Sequence, residues 1–196
     1  MSKASATRMT ILQKAFELIY TKGYQTTSID EIIATTKVTK GAFYYHFKTK
    51  DEMGLAIIEE IVRPTMQESF IAPMSASTDP LNDIYTMTKQ LLLENPFLTV
   101  EHGCPAGNLT QEMTPWNQAF SEALSTIIDQ WKTTMENAIE NGKACGKVNQ
   151  AVNARQVTYF ILSGYWGIRN FGKLENSNAC YYPYLDELKR YLEGMK

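Results

Sequence analysis

Side chains able to do chemistry are densest in V-T-K-G-A-F-Y-Y-H-F-K-T-K, Val38 to Lys50, where Lys40, His46, Lys48 and Lys50 alternate with Phe43, Tyr44, Tyr45 and Phe47. Ammonium and phenol groups donate to phosphate oxygens, and flat rings pack on sugar or on a thymine methyl. That is the chemistry of double-stranded DNA recognition. Helical spacing sorts the residues: Phe43 and Phe47, four apart, share a buried face, while Lys40 with Tyr44, and Gly41 with Tyr45, point elsewhere. His46 also reaches outward, and Gly41 lets backbone approach the DNA closely. Thr39 reads as the N-cap of this helix. Lys48 and Lys50 stand at the start of the next one, and Thr27 and Ser28 at the start of the one before, where free helical N–H groups favour phosphate.

A second group is more ambiguous. His102 and Cys104 flank a turn in H-G-C-P-A-G-N, which raises a cysteine nucleophile or a metal ligand. No carboxylate sits at ligand spacing beside Cys104 and no partner base is evident, so the expectation is no catalytic residue, no metal and no cofactor. The rival reading is a helical enzyme using a C-terminal cavity with Cys104 and His102. Three cysteines at irregular spacing suit reduced thiols rather than a disulfide framework. Trp131, Met135, Tyr165 and Trp166 bring rings and soft sulfur suited to an apolar effector pocket, against the alternative that each is core or interface. Asn108, Gln111 and Glu112, following the irregular loop, are candidates to orient such a molecule.

These residues need a scaffold, and hydrophobic spacing reads as helix almost throughout. The predicted helices run from Thr7 to Thr21, stopped by Gly23; from Ser28 to Thr36, with a Ser28/Glu31 capping box; from Thr39 to Phe47; and from Thr49, capped with Glu52, to about Ala72, interrupted at Pro64. Beyond these, Asp79-Pro80 opens a helix ending at Asn95-Pro96. A short helical piece spans Leu109 to Met113. Thr114-Pro115 caps a long helix to Asn141-Gly142, and two more cover Asn153 to Phe171 and Pro183 to Glu193. Ser163, Gly164 and Gly167 offer a place where another helix could approach. Residues 1–50 hold eight Lys or Arg against three Asp or Glu (+5), and the remaining 146 hold 11 against 18 (−7). A small basic part that touches polyanion and an acidic body with another task follow from that split. No apolar run approaches the ~20 residues of a spanning helix, and the polar opening lacks a secretory core, so no membrane partner and a cytoplasmic address are expected.

The stretch T-T-S-I-D-E-I-I-A-T-T-K-V-T-K-G-A-F-Y-Y-H-F-K-T-K-D-E-M, extended back through I-L-Q-K-A-F-E-L-I-Y-T-K-G-Y, resembles the N-terminal signature of TetR-family transcriptional regulators over about residues 7–60. One departure is Thr36-Lys37, where the family often places small residues. A weaker similarity links H-G-C-P-A-G-N-L-T-Q-E-M, residues 102–113, to one branch of these regulators. The resemblance implies an all-α fold: a three-helix DNA-binding domain with a helix-turn-helix over residues 1–50, and a larger helical effector-binding and dimerisation domain over 51–196. It implies a homodimeric, ligand-responsive repressor released from a palindromic operator by a small molecule; the resemblance names no ligand, and the rings and the −7 body lead to the expectation of one that is apolar or aromatic and neutral or cationic. A third reading is a helical protein whose basic N-terminus merely docks on acidic surfaces.

Overall fold

The computed structural model describes residues 3–196, and every regular element among them is helical. Helix α1 (Lys3–Lys22) is longer than its predicted span and buries Ile11, Leu12, Ala15 and Ile19. Gly23 ends it at φ +96°, a left-handed conformation open to glycine at no steric cost. Helices α2 (Ile29–Thr36) and α3 (Lys40–His46) begin at their predicted caps. Ser28 Oγ accepts the Glu31 N–H at 3.1 Å, and Thr39 Oγ1 accepts the Ala42 N–H at 3.1 Å. Between them Lys37 sits at φ 57°, ψ 20°, so the departure from the family pattern leaves a left-handed turn intact but places a lysine where glycine fits best.

Thr49 caps α4 (Lys50–Ile57), accepting the Glu52 N–H at 3.0 Å. The chain stays helical through Ile58–Val62, Arg63–Met66, Gln67–Ile71 and Ala72–Ser75. Pro64 removes one N–H from the ladder, and the segments on either side of it, Ile58–Val62 and Gln67–Ile71, are π-helical. The predicted interruption is therefore a change of hydrogen-bond register inside a continuing helix. Asp79 caps α5 (Pro80–Lys89), which continues as a π turn over Gln90–Glu94. Helix α6 (Pro105–Met113) starts four residues earlier than expected, with the proline of Cys104-Pro105 as its first residue. Helix α7 (Gln118–Ala144) starts later than predicted, because Asn117 Oδ1, accepting the Phe120 N–H at 3.3 Å, is the cap rather than Thr114-Pro115. Helices α8 (Ala154–Glu175), capped by Asn153, and α9 (Tyr181–Glu193) complete the chain.

Two compact units result. The first joins the residues through Thr65 with Pro105–Ser125, and the second joins Met66–Cys104 with Thr126–Lys196. In the first, Phe43 and Phe47 are fully buried with Ile32 and Met53. Gly54 is a point of close approach: a Cβ there would stand 2.5 Å from Phe120 Cζ and 2.7 Å from Tyr24 Cε2. In the second, Phe70, Trp131 and Tyr165 pack edge to face with centroids 4.5–5.9 Å apart. Arg169, 1% exposed, donates from its guanidinium to the carbonyls of Leu91, Thr99 and Gly103, fixing the irregular stretch before α6 to α8. Gly164, expected where another helix approaches, receives Tyr184 of the same chain, whose hydroxyl would lie 2.8 Å from an added Cβ; Gly167 faces open space.

Candidate nucleic-acid interface

The recognition surface is built from behind. Phe43 and Phe47 lie 5.9 Å apart under α3, and Arg8 of α1 stacks its guanidinium 4.4 Å from the Phe47 ring while donating to the His46 carbonyl at 3.4 Å. Arg8 is also paired with Glu60. Sequence spacing missed this arginine, since only the packing of α1 beneath α3 brings it there.

With its rear face fixed, α3 presents Lys40, Gly41, Tyr44 and Tyr45 outward. Tyr45 is 72% exposed and Tyr44 37%, and a Cβ on Gly41 would meet nothing within 4 Å. Lys40 Nζ rests 3.3 Å from Asp30 on a pair whose members are both largely exposed, so DNA phosphate can replace that carboxylate at little cost. His46 is half-buried, its ring edge-on to Tyr45 at 5.0 Å. Exposed Lys48 donates to the Tyr44 carbonyl at 3.0 Å. Ser28 and Thr39 are exposed caps.

One predicted DNA contact is corrected. Thr27 is fully buried, and its hydroxyl donates to the Gly23 carbonyl at 2.7 Å, so it closes the α1–α2 corner and offers phosphate nothing. Lys50 is half-buried, its Nζ 3.3 Å from the Gln25 carbonyl and 4.4 Å from the Tyr24 ring centre. Burial lowers its ammonium pKa, against the opposing pull of Glu112 and Asp51. It is tied to that corner while its side chain stays partly exposed.

Of the residues expected around an effector, Trp131 and Tyr165 come together, each at most 2% exposed, and Met135 is fully buried. Trp166 is half-buried. Glu112 is drawn elsewhere: its carboxylate accepts the backbone N–H groups of Tyr24 at 2.8 Å and Gln25 at 2.7 Å. An effector contact from Glu112 would have to break both bonds. Asn108 lies on α6, half-buried. Among the described residues no group of three His, Cys, Asp or Glu is arranged to hold a metal ion, and no helix is long and apolar enough to cross a membrane.

A short helix seated by two phenylalanines, capped by threonine and presenting lysine, glycine and tyrosine outward, defines a helix-turn-helix DNA-binding protein. Comparison with known proteins agrees. Residues 11–57 match the family described as bacterial regulatory proteins, tetR family, and residues 88–186 match the tetracyclin repressor-like C-terminal domain. An uncharacterized HTH-type transcriptional regulator in the lacX 3' region of Lactococcus lactis subsp. lactis is 33% identical over 132 residues, 67% of each chain. The transcriptional regulator AcuR of Cereibacter sphaeroides is 28% identical over 149 residues, 74% of this chain and 67% of the relative. A TetR transcriptional regulator from Chloroflexus aurantiacus J-10-FL shares the fold with a TM-score of 0.88 at 23% identity, over 100% of this chain and 98% of the other.

The chain belongs to the TetR family of transcriptional regulators. Such regulators are DNA-binding proteins rather than enzymes, which closes the reading of Cys104 and His102 as catalytic, and ligand-responsive repression by dimers is typical of them.

Proposed function

We propose that this protein is a repressor in the cytoplasm that binds a two-fold symmetric operator as a dimer and is released by a small molecule. The observation that carries the operator half is α3, whose exposed N-terminal end is rich in donors while its rear face is locked by Phe43 and Phe47. Ser28, Thr39, Lys40, Gly41, Tyr44, Tyr45, His46 and Lys48 make the contact. The dimer half is supported by α8, which leaves Phe160 56%, Phe171 57% and Leu174 82% exposed along one stripe with the open Gly167. A second copy covering that stripe would bring two recognition helices to one operator.

For the effector, the second unit offers the Phe70, Trp131 and Tyr165 rings with Met135 and Trp166. Trp131 Nε1 is buried without an acceptor, a state that costs about 1–3 kcal/mol. Indole only donates, and Trp166 Nε1 is likewise buried without an acceptor, so the reading is an apolar or aromatic molecule carrying hydrogen-bond acceptors. The test is retention of the DNA upstream of the protein's own gene in a gel shift, at salt that abolishes binding to random sequence. Equal binding to both would support docking on acidic surfaces instead. Sedimentation as a monomer at micromolar concentration would remove the dimer, and Phe160→Asp is expected to produce that monomer.

A further inference from the structure

The corner between α1 and α2 is held from two sides, and the recognition-helix chemistry explains neither hold. Past Gly23 the chain leaves the α1 helix, and the N–H groups of Tyr24 and Gln25 both point to Glu112 of α6, one to each carboxylate oxygen, at 2.8 and 2.7 Å. Gln25 Nε2 also donates to the Glu112 carbonyl, at 3.5 Å. From the opposite side come the first two residues of α4. The Tyr24 hydroxyl donates to Asp51 Oδ1 at 2.6 Å, and Lys50 Nζ donates to the Gln25 carbonyl at 3.3 Å. Burial and the Asp51 carboxylate push the Tyr24 phenol pKa far up, so the hydroxyl remains a donor at any ordinary pH. Asp51 Oδ2 in turn accepts from Asn117 Nδ2 at 3.0 Å.

Lys50 and Asp51 lie only a few residues beyond α3, which ends at His46. A displacement of Tyr24 and Gln25 therefore reaches the recognition helix through two side chains and one short turn. Because the acceptor is a carboxylate and the donors are successive backbone N–H groups, these are charge-assisted bonds whose two-point geometry fixes direction as well as distance.

We propose, on the operator reading above, that Glu112 is a positioning residue for operator binding: its two-point hold on Tyr24 and Gln25, passed on through Tyr24–Asp51 and Gln25–Lys50, sets the angle at which α3 meets DNA. Glutamine at 112 keeps the volume but sets an NH2 against one of the two N–H groups, so Glu112→Gln breaks the two-point hold without removing the side chain.

The experiment compares full-length wild type, Glu112→Gln and Tyr24→Phe. Fluorescence anisotropy would use a labelled duplex from the upstream region and a random duplex at one salt concentration, and hydrogen exchange would be followed without DNA. Expected are a five- to twentyfold loss of affinity for the upstream duplex, unchanged affinity for the random one, and faster exchange in residues 23–28 and also 40–50. Combining the substitutions is expected to lose little beyond the larger single effect, because both lie on one path. The proposal is overturned if Glu112→Gln binds the upstream duplex like wild type, if the two affinities fall together, or if faster exchange stays within residues 23–28. Were wild type itself to prefer neither duplex, the operator reading would fail, while the exchange pattern would still decide whether Glu112 controls α3.

Discussion

Gly41→Ala is expected to make the protein more stable and a poorer DNA binder at once. Gly41 lies inside α3, where alanine is favoured over glycine by about 0.5–1 kcal/mol. Its added Cβ would meet nothing within 4 Å, so no packing term opposes that gain in the free protein. On the proposed operator reading the same methyl projects toward DNA, and its crowding should weaken operator binding by about 1–2 kcal/mol, roughly five- to thirtyfold. Gly54→Ala is the control, because an identical chemical change there has the opposite sign. Its Cβ would stand 2.5 Å from Phe120 and 2.7 Å from Tyr24, and overpacking of about 1–3 kcal/mol outweighs the helix gain. Denaturant unfolding followed by circular dichroism measures the stabilities, and anisotropy on the upstream duplex measures binding. If Gly41→Ala were stabilised yet bound the duplex as tightly as wild type, the assignment of α3 as the helix entering the groove would be refuted.

Lys37→Gly should stabilise the first unit by up to about 1 kcal/mol, since it relieves a left-handed lysine at φ 57°; unchanged or lower stability in chemical unfolding would argue against that conformation. Lys40→Ala and Tyr45→Ala should leave the circular dichroism spectrum unchanged and weaken operator binding, by about 1–3 kcal/mol for whichever touches a base edge and less for a phosphate contact, as read by gel shift. Tyr184 packs over Gly164, and burial pushes its phenol pKa from 10.0 up to about 12. A phenol that ionises later in the folded chain than in the unfolded one adds stability below pH 10, which is lost as pH rises from 10 to 12. Wild type should therefore lose more stability across that window than Tyr184→Phe, and ultraviolet phenolate titration should show a group ionising late.

How far the sequence reached depended on the range of the forces involved. Helix caps at Ser28, Thr39, Thr49 and Asn153, the glycine stop at Gly23 and the shared face of Phe43 and Phe47 are set by residues within about one helical turn, so their spacing alone determined them. The outward set Lys40, Gly41, Tyr44 and Tyr45 followed from the same period. Thr27 was misassigned, and the partners of Lys50 and Glu112 went unseen, because those partners are the Gly23 carbonyl, the Gln25 carbonyl and the N–H groups of Tyr24 and Gln25. Two of those three lie 25 or more residues away in sequence. Local propensity cannot tell a polar side chain aimed at phosphate from one consumed by a backbone corner, since both favour the same residue types at a helix start. Arg8 under Phe47 and Arg169 on three carbonyls escaped for a related reason: an arginine in an amphipathic helix reads as a solvated face until the tertiary fold brings a ring or a row of carbonyls against it.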